Sequence, residues 1–389
     1  MFGVISYLCY LCKVMAGIYV HIPFCKSRCI YCGFFSTTAL DRLHAYVDAV
    51  VEELHARRDF LRGEPIETIY FGGGTPSLLP VEEMERILSA ILYIYNVRDG
   101  AEITLEGNPD DISPALLTEW RRIGFNRLSM GVQTFSDVRL QFLHRRHTAE
   151  QAVRAIQDAR QAGFENLSVD LMFGFPGQTL TEWTRDVERA LSLRVPHLSA
   201  YSLMYEEGTC LNRMLERGDV VELDEEVALD MYESLIDMLE GAGYRHYELS
   251  NFALPGWESR HNSSYWHGIP YLGVGAGAHS YDGVNRYFHA DSLDEYLSGT
   301  PCVREELSEE ERYNEYVFTG LRTAEGIQLS DLERKFGSRM KDFCLCNAKR
   351  HIDDGRLCFQ DGNLRLSRKG LFVSNDVMSD LMWTEAERT

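Results

Sequence analysis

The chain has 389 residues, of which 45% are hydrophobic and 25% are charged. It is long enough for one large domain and a smaller one, and its composition is that of an ordinary globular protein. The 59 acidic residues outnumber the 39 lysines and arginines, which gives a net charge of −20. This charge argues against broad contact with nucleic acid or anionic lipid, because the long-range field repels polyanions.

Residues 1–16 form an apolar extension that contains Cys9, Cys12 and one lysine. Its apolar core of about a dozen residues is shorter than the ~20 residues of a membrane-spanning helix. No basic segment precedes it, as a secretory signal would require. We assign the extension no chemistry. We expect a cytoplasmic protein with reduced thiols and no disulfides, and contact with the surface of a membrane stays open.

Six short apolar runs alternate with helical patterns between residues 17 and 205. The helical patterns repeat apolar residues every three or four positions, as in Leu43, Val47, Val50 and Leu54. The predicted strands are residues 17–22, 68–71, 101–105, 127–131, 166–172 and 197–203. Repeated βα units indicate an α/β fold with a parallel sheet and external helices. Six units, where a closed barrel has eight, predict an open, partial (βα)6 barrel.

Three cysteines, Cys25, Cys29 and Cys32, follow the first predicted strand in the spacing C-x3-C-x2-C. Three thiolates leave a tetrahedral zinc site one ligand short. A [4Fe–4S] cubane can take three cysteines and keep its fourth iron open for a small molecule. We therefore predict a [4Fe–4S] cluster on these cysteines. A zinc site completed by His21 or His44 is the alternative.

Polar and glycine-rich residues lie at the carboxyl ends of the other predicted strands. They are Gly72, Gly73, Gly74 and Thr75 after the second strand, Glu106 at the end of the third, Gln133 after the fourth, Asp170 on the fifth and Tyr201 on the sixth. In (βα) barrels the active site lies at this edge, because the loops there converge on the barrel axis. The pattern predicts one functional rim.

Two further regions follow the predicted barrel core of residues 17–205. For residues 206–300 we predict a connecting α+β segment, which contains an acidic helix at 224–240 and the run RHNSSYW at 260–266. Residues 301–389 predict helices at 310–323, 329–336 and 342–353, then strands at 356–359 and 364–367 around Asp361-Gly362-Asn363, a strong turn signal. This order predicts a small winged-helix-like domain, for which the acidic composition favours protein contact over DNA.

The run YVHIPFCKSRCIYCGF at 19–34 resembles the signature of radical S-adenosylmethionine (SAM) enzymes. The runs FGGGTPSLL, EGNPD, NRLSMGVQTF, FGFPGQT, YELSNF, RHNSSYW and GVGAGAHSY resemble the coproporphyrinogen III dehydrogenase group of that superfamily, over nearly the whole chain. The resemblance implies a radical SAM barrel whose reduced cluster, fed by an electron donor, splits SAM to give a 5′-deoxyadenosyl radical.

The same resemblance implies a set of SAM contacts at the predicted rim. They are Tyr19, Tyr31, Gly73, Glu106, Gln133, Arg145 and Asp170. Glu106 would pair with the ammonium of SAM, Arg145 with its carboxylate and Asp170 with its ribose hydroxyls. Glycines 72–74 would let the backbone approach the methionine moiety, and Thr75 would fix the turn.

The chain departs from this group at three positions. Gly33 stands where many relatives carry Asp, and His144 precedes Arg145 where Gly is usual. Phe34 stands where the dehydrogenase carries a further cysteine. In this respect, and in the H-N-x-x-Y-W motif at 261–266, the chain resembles the heme chaperone (HemW) branch. Phenylalanine supplies no sulfur and no hydrogen bond. If decarboxylation depends on the extra cysteine, this chain should lack that activity.

Three functions are compatible with the sequence. The first is a heme chaperone, with heme as cargo for a membrane respiratory protein; His261 is then a candidate axial ligand, and Tyr265 and Trp266 offer flat aromatic surface for a porphyrin. The alternative for His261 is a histidine that orders its loop through hydrogen bonds. The second function is an oxygen-independent coproporphyrinogen III dehydrogenase, which makes protoporphyrinogen IX. The third is a radical enzyme with an unrelated substrate.

Overall fold

The structure is a computed structural model that describes residues 15–384. The predicted extension lies outside the described residues except for Met15 and Ala16, and Ala16 already belongs to the first strand. The strands are β1 (Ala16–Ile22), β2 (Ile66–Gly73), β3 (Val97–Gly107), β4 (Arg127–Gln133), β5 (Asn166–Phe173), β6 (His197–Ser202), β7 (Arg245–Glu248), β8 (Asn251–Ala253), β9 (Tyr271–Val274), β10 (His279–Tyr281), β11 (Asn285–Phe288), β12 (Val303–Glu306), β13 (Ile327–Gln328), β14 (Leu357–Gln360) and β15 (Asn363–Leu366).

The helices surround this sheet or form the carboxyl-terminal part of the chain. They are α1 (Leu43–Ala56), α2 (Val81–Ile94), α3 (Pro114–Ile123), α4 (Asp137–Phe142), α5 (Ala149–Gln161), α6 (Leu180–Ser192), α7 (Cys210–Glu216), α8 (Glu225–Gly241), α9 (Arg260–Trp266), α10 (Leu293–Leu297), α11 (Glu309–Leu321), α12 (Leu329–Asp353), α13 (Arg368–Leu371) and α14 (Ser374–Leu381). The acidic helix predicted at 224–240 is α8, and the Asp224 side chain caps its amino terminus.

The six predicted strands are confirmed as β1–β6, which pair in parallel and in chain order. The sheet is an open one, as six βα units predicted. The connecting segment extends it at both edges. Strand β9 pairs in parallel with β1 and is followed by the antiparallel strands β10–β12, while β8 and β7 continue the sheet beyond β6.

The two faces of β1–β6 differ in polarity. Because successive side chains of a strand point to opposite faces, alternate residues such as Val20, Phe71 and Leu105 are fully buried in the core that also contains residues of the helices. The residues between them are polar or aromatic and point into the barrel. They include Tyr19, Thr68, Tyr70, Glu106, Ser129 and Asp170. The strands thus carry an apolar outer face and a polar inner one.

The carboxyl-terminal domain has a hydrophobic core of its own, which includes Tyr313 and Leu332. The predicted hairpin is β14–β15, and Asp361 and Gly362 have the two positive φ angles (54° and 84°) of a two-residue hairpin turn. The predicted two-stranded wing is wrong in one respect, because β13 adds a third strand whose two residues are too few for a sequence pattern. The helices predicted at 329–336 and 342–353 belong to α12, which is kinked at Gly337.

Within the described part of the chain, no helix combines the length and the apolar character that a membrane crossing demands.

Candidate functional site

The three cysteines lie on the loop between β1 and α1, and all are free, partly exposed thiols. One backbone hydrogen bond closes the loop on itself, and another connects it to the end of α4. The N–H of Cys25 donates to the carbonyl of Thr37 (2.9 Å), and the N–H of Ile30 donates to the carbonyl of Leu143 (3.3 Å). The loop is therefore anchored to the rim of the barrel.

The cysteine loop fits the ligand set of a [4Fe–4S] cluster. Burial raises the pKa of the Cys25 and Cys32 thiols, and the negative charge of a Cys29 thiolate raises both pKa values further. The three sulfurs therefore lie close enough to interact electrostatically. Among the described residues no group of His, Cys, Asp and Glu converges as the ligands of a single ion would. A cubane does not require that convergence, because each cysteine binds a different iron.

The two histidines proposed for the zinc alternative are engaged elsewhere. His21 is bonded through Nδ1 to the Tyr19 hydroxyl (3.0 Å) and through Nε2 to the carbonyl of Phe35 (3.4 Å). His44 lies on α1 and pairs with Glu83 (2.6 Å). Neither histidine completes a tetrahedral site with the cysteines.

Arg145 connects the cysteine loop to the ends of β3 and β4. Its Nη1 donates to the Cys29 sulfur (3.6 Å), and its Nη2 donates to Asn108 Oδ1 (2.6 Å) and to the carbonyl of Gly131. Tyr31 lies beside Cys29 and the Arg145 guanidinium. A cationic side chain next to the cysteines can hold a carboxylate there, as the resemblance to radical SAM enzymes implied.

Two carboxylates, Glu106 on β3 and Asp170 on β5, point into the barrel from the two strands that flank β4. Glu106 accepts hydrogen bonds from the Tyr70 hydroxyl (2.6 Å) and from the N–H of Gly73 (3.3 Å). Burial, followed by the repulsion from Asp170, raises the pKa of Glu106 to about 7. Burial likewise raises the pKa of Asp170 to about 6, against hydrogen bonds from Ser199 and Ser129. Their surroundings therefore bring the pKa values of both carboxyl groups close to neutral pH, as is common at functional sites.

Glycines 72–74 are required by the protein's own packing. A Cβ on Gly72 would lie 2.8 Å from the Tyr70 ring, and one on Gly73 would lie 2.7 Å from the His21 ring. A Cβ on Gly74 would lie 2.9 Å from the backbone of Pro23. Gly72 and Gly73 thus make room for aromatic rings, and Gly74 lets β2 approach the start of the cysteine loop. The approach of a ligand to these glycines, which the resemblance implied, stays a prediction. Thr75 adds a contact of 3.4 Å between its hydroxyl and the Cys25 sulfur.

Gln133 and His144 have backbone conformations that favour glycine. Gln133 is buried at an irregularity of β4 and has a φ of 70°, a strain of the kind that clusters at functional sites. His144 has a φ of 59°, a left-handed backbone conformation that costs a residue other than glycine roughly 1–2 kcal/mol. At Gly33 the Glu206 carboxylate occupies the space into which a side chain would extend, so a larger residue there would require the Glu206 side chain to move.

The H-N-x-x-Y-W motif forms α9 and closes the opposite end of the barrel. The His261 ring lies 3.3 Å from the position of a Cβ on Gly17, at the amino end of β1. The Glu102 carboxylate on β3 accepts from the N–H groups of Arg260 (3.2 Å) and His261 (3.0 Å), which satisfies the start of the helix. From Gly17 to Ile22, β1 alone spans roughly 17 Å. The motif therefore lies far from the cysteine loop.

His261 is fully buried, and both its ring nitrogens are hydrogen-bonded. Nδ1 is bonded to the Thr68 hydroxyl (2.8 Å) and Nε2 to the Tyr265 hydroxyl (2.7 Å), while the ring stacks on Tyr70 at 4.9 Å. Burial, helped by the charge of Arg127, lowers the pKa of His261 to about 3, so the ring is neutral. In this arrangement neither ring nitrogen of His261 is free to bind heme iron. This favours the alternative interpretation, in which His261 orders the motif through hydrogen bonds.

Comparison with known proteins identifies the family. The Radical SAM superfamily model matches residues 19–190, and the HemN C-terminal domain model matches residues 307–373. The heme chaperone HemW of Lactococcus lactis is 35% identical over 94% of this chain and 96% of its own length. The chain belongs to the HemW family. HemW of Bacillus subtilis is 34% identical over 93% of this chain and 98% of its own length, and a bovine mitochondrial radical SAM domain-containing protein is 33% identical over 94% and 87%.

The solved structure of HemN, the coproporphyrinogen III oxidase of Escherichia coli, has the same fold. It superposes with a TM-score of 0.83 over 98% of this chain and 94% of its own, at 23% identity. Membership of the HemW family and of the radical SAM superfamily implies a [4Fe–4S] cluster and SAM. The two family models fall inside the predicted core and the predicted carboxyl-terminal domain, whose boundaries stay predictions.

The HemW-type fold contains a cleft that the sequence did not predict. It has a volume of about 960 Å³ and lies between α9, the β9–β11 edge and the carboxyl-terminal domain. Tyr265, Trp266 and His267 line one side, and Tyr316 and Phe318 line the other. Only the aromatic residues at 265–266 gave a signal, because the second wall comes from a domain about fifty residues further along the chain.

Proposed function

We propose that this protein is a heme chaperone, which binds heme as cargo and delivers it to a membrane respiratory protein. Its relationship to curated heme chaperones over 94% of the chain carries the proposal. A [4Fe–4S] cluster on Cys25, Cys29 and Cys32 and a SAM molecule at the carboxyl-terminal rim complete the proposed site. An electron donor that reduces the cluster is the further partner.

The residues of the rim suit the parts of SAM. Glu106, as a carboxylate, can accept from the ammonium of SAM, and the N–H of Gly73 lies beside it. Arg145 can hold the carboxylate next to the cysteine loop, and Asp170 can accept from ribose hydroxyls. When bound, a reduced cluster can pass an electron to the sulfonium of SAM. The barrel residues orient SAM and shield it from water.

Phe34 argues against the second candidate, a coproporphyrinogen III dehydrogenase. Its side chain is 72% exposed and lies two residues after Cys32. Phenylalanine has no sulfur or polar hydrogen with which to take part in a decarboxylation. The fold shared with HemN is what favours the dehydrogenase, and a fold by itself does not decide the chemistry.

An anaerobic experiment with reconstituted protein separates the two candidates. We expect added heme to bind, with a shifted Soret band, and we expect no protoporphyrinogen IX from coproporphyrinogen III in the presence of SAM and a reductant. Transfer of the bound heme to a heme-free respiratory protein would complete the test. Repeated SAM-dependent turnover of coproporphyrinogen III would overturn the chaperone proposal, and so would the absence of heme binding.

A further inference from the structure

We infer that heme binds in the cleft between α9 and the carboxyl-terminal domain, with His267 Nε2 as a ligand of the iron. The inference rests on the proposed heme function and adds the place and the ligand. The proposed iron ligand is thus the residue directly after the H-N-x-x-Y-W motif, and the buried His261 does not bind the iron.

The size and lining of the cleft suit a porphyrin. Its volume of about 960 Å³ lies at the upper end of the range of roughly 300–1,000 Å³ for small-molecule sites. Tyr265 and Trp266 contribute aromatic surface from α9, and Tyr316, Phe318 and Phe336 contribute it from the carboxyl-terminal domain. Aromatic side chains on two sides can pack against a flat conjugated ring.

His267 has the geometry of a metal-binding histidine. It is exposed at the end of α9, and its Nδ1 lies 2.7 Å from the carbonyl oxygen of Ser263. A carbonyl only accepts, so Nδ1 carries the proton and Nε2 keeps its lone pair. This is the second hydrogen bond that fixes the tautomer and orientation of metal-ligating histidines. Among the described residues, Nε2 of His267 has no hydrogen-bond partner.

The charges of the cleft suit the two propionates of heme. The lining cations are Arg286, Arg312 and Lys335, and the lining acids are Glu315, Glu325 and Asp331. Two of the acids already pair with arginines: Glu315 with Arg286 (2.8 Å) and Asp331 with Arg334 (2.8 Å). The Lys335 ammonium lies 4.6 Å from the centre of the Tyr316 ring, beside the aromatic surface. A propionate can meet a cation there.

His261 then acts as a positioning residue behind the cleft. Its Nε2 holds the hydroxyl of Tyr265, which lines the cleft, and its ring stacks on Tyr70. The hydroxyl of Tyr70 donates to Glu106, a proposed SAM contact. A continuous series of contacts therefore connects the heme cleft with the opposite end of the barrel.

Titration of the full-length protein with hemin tests the inference. We compare wild type with His267→Ala and His267→Gln by Soret absorbance, and use His55→Ala as the matched control because His55 is exposed on α1, outside the cleft. Losing an outer partner of a metal ligand costs roughly 10–100-fold in affinity, so losing the ligand itself should weaken heme binding at least tenfold. Added imidazole should restore the wild-type Soret band of His267→Ala. Lys335→Glu should weaken binding and leave the position of the band unchanged.

The outcomes separate the inference from the proposed function. If wild type binds heme and both His267 variants match it in affinity and spectrum, the inference is wrong and the heme function stands. If wild type binds no heme, both are wrong. His267→Gln keeps a polar side chain at this exposed position, so a spectral change in that variant together with unchanged thermal stability identifies a lost ligand.

Discussion

The two ends of the barrel are built for different tasks. At the carboxyl end, Cys25, Cys29 and Cys32 lie on a partly exposed loop, beside carboxylates whose pKa values burial has raised. At the amino end, α9 closes the barrel with a neutral histidine that has both nitrogens bonded. Under our inference the residues of one motif have different tasks, because His261 does not reach the heme while Tyr265 and Trp266 line its cleft. The buried part of the motif can order the wall of a site that its exposed neighbours form.

The largest expected effect concerns the cysteine loop. Replacing Cys25, Cys29 or Cys32 with Ala should abolish the brown chromophore, because a cubane held by two cysteines loses an iron ligand. Anaerobically reconstituted wild type should contain about four irons and four sulfides per chain. Cys344→Ala and Cys346→Ala are the controls, since both residues lie in the carboxyl-terminal domain. A full cluster signal in the triple variant would exclude these ligands.

The second prediction concerns SAM at the same end. Glu106→Ala should weaken SAM binding by about an order of magnitude or more, because a charged hydrogen bond contributes roughly 1.5–3 kcal/mol. The cluster content should stay unchanged, since Glu106 contacts no cysteine. Equilibrium binding of SAM to the reconstituted variant measures the effect. Wild-type affinity in Glu106→Ala would remove this carboxylate from the site.

The third prediction concerns the amino end. His261→Ala should lower the free energy of unfolding by about 3 kcal/mol, because it leaves a cavity and two hydroxyls without partners. The Soret band of bound heme should keep its position, since His261 orders the wall and does not bind iron. Thermal unfolding and heme spectra on the same samples provide both readings, with His55→Ala as the stable control. Unchanged stability together with a shifted Soret band would restore His261 as the ligand.

The smallest expected effect is that the titration of Glu106 changes the stability of the protein and its affinity for SAM in opposite directions as the pH rises. The pKa of its carboxyl is raised from 4.5 to about 7 in the folded protein. The resulting contribution to stability is present below pH 4.5 and is lost as the pH rises through 7, whereas SAM affinity should rise over the same range as the carboxylate forms. In Glu106→Gln, both the stability and the SAM affinity should depend less on pH, because glutamine does not titrate. If wild type and Glu106→Gln show the same pH dependence, this carboxyl does not titrate there.

The sequence predicted the barrel because each strand of β1–β6 is a short apolar run followed by an amphipathic helix. It also predicted the cysteine loop and most of the rim, since residues that end neighbouring parallel strands must lie together. Local pattern says nothing about contacts between distant segments. The burial of His261 against Thr68, the two-residue strand β13 and the cleft beside His267 all depend on such contacts. They could be found only in the folded chain.

The most direct test of the separation between the two ends is a heme titration of the Cys25→Ala/Cys29→Ala/Cys32→Ala variant. This variant should contain no cluster and should bind heme with the affinity and the Soret band of wild type, because the cleft shares no residue with the cysteine loop. Circular dichroism establishes that the variant is folded. Loss of heme binding in the folded variant would place heme at the cluster and contradict the account.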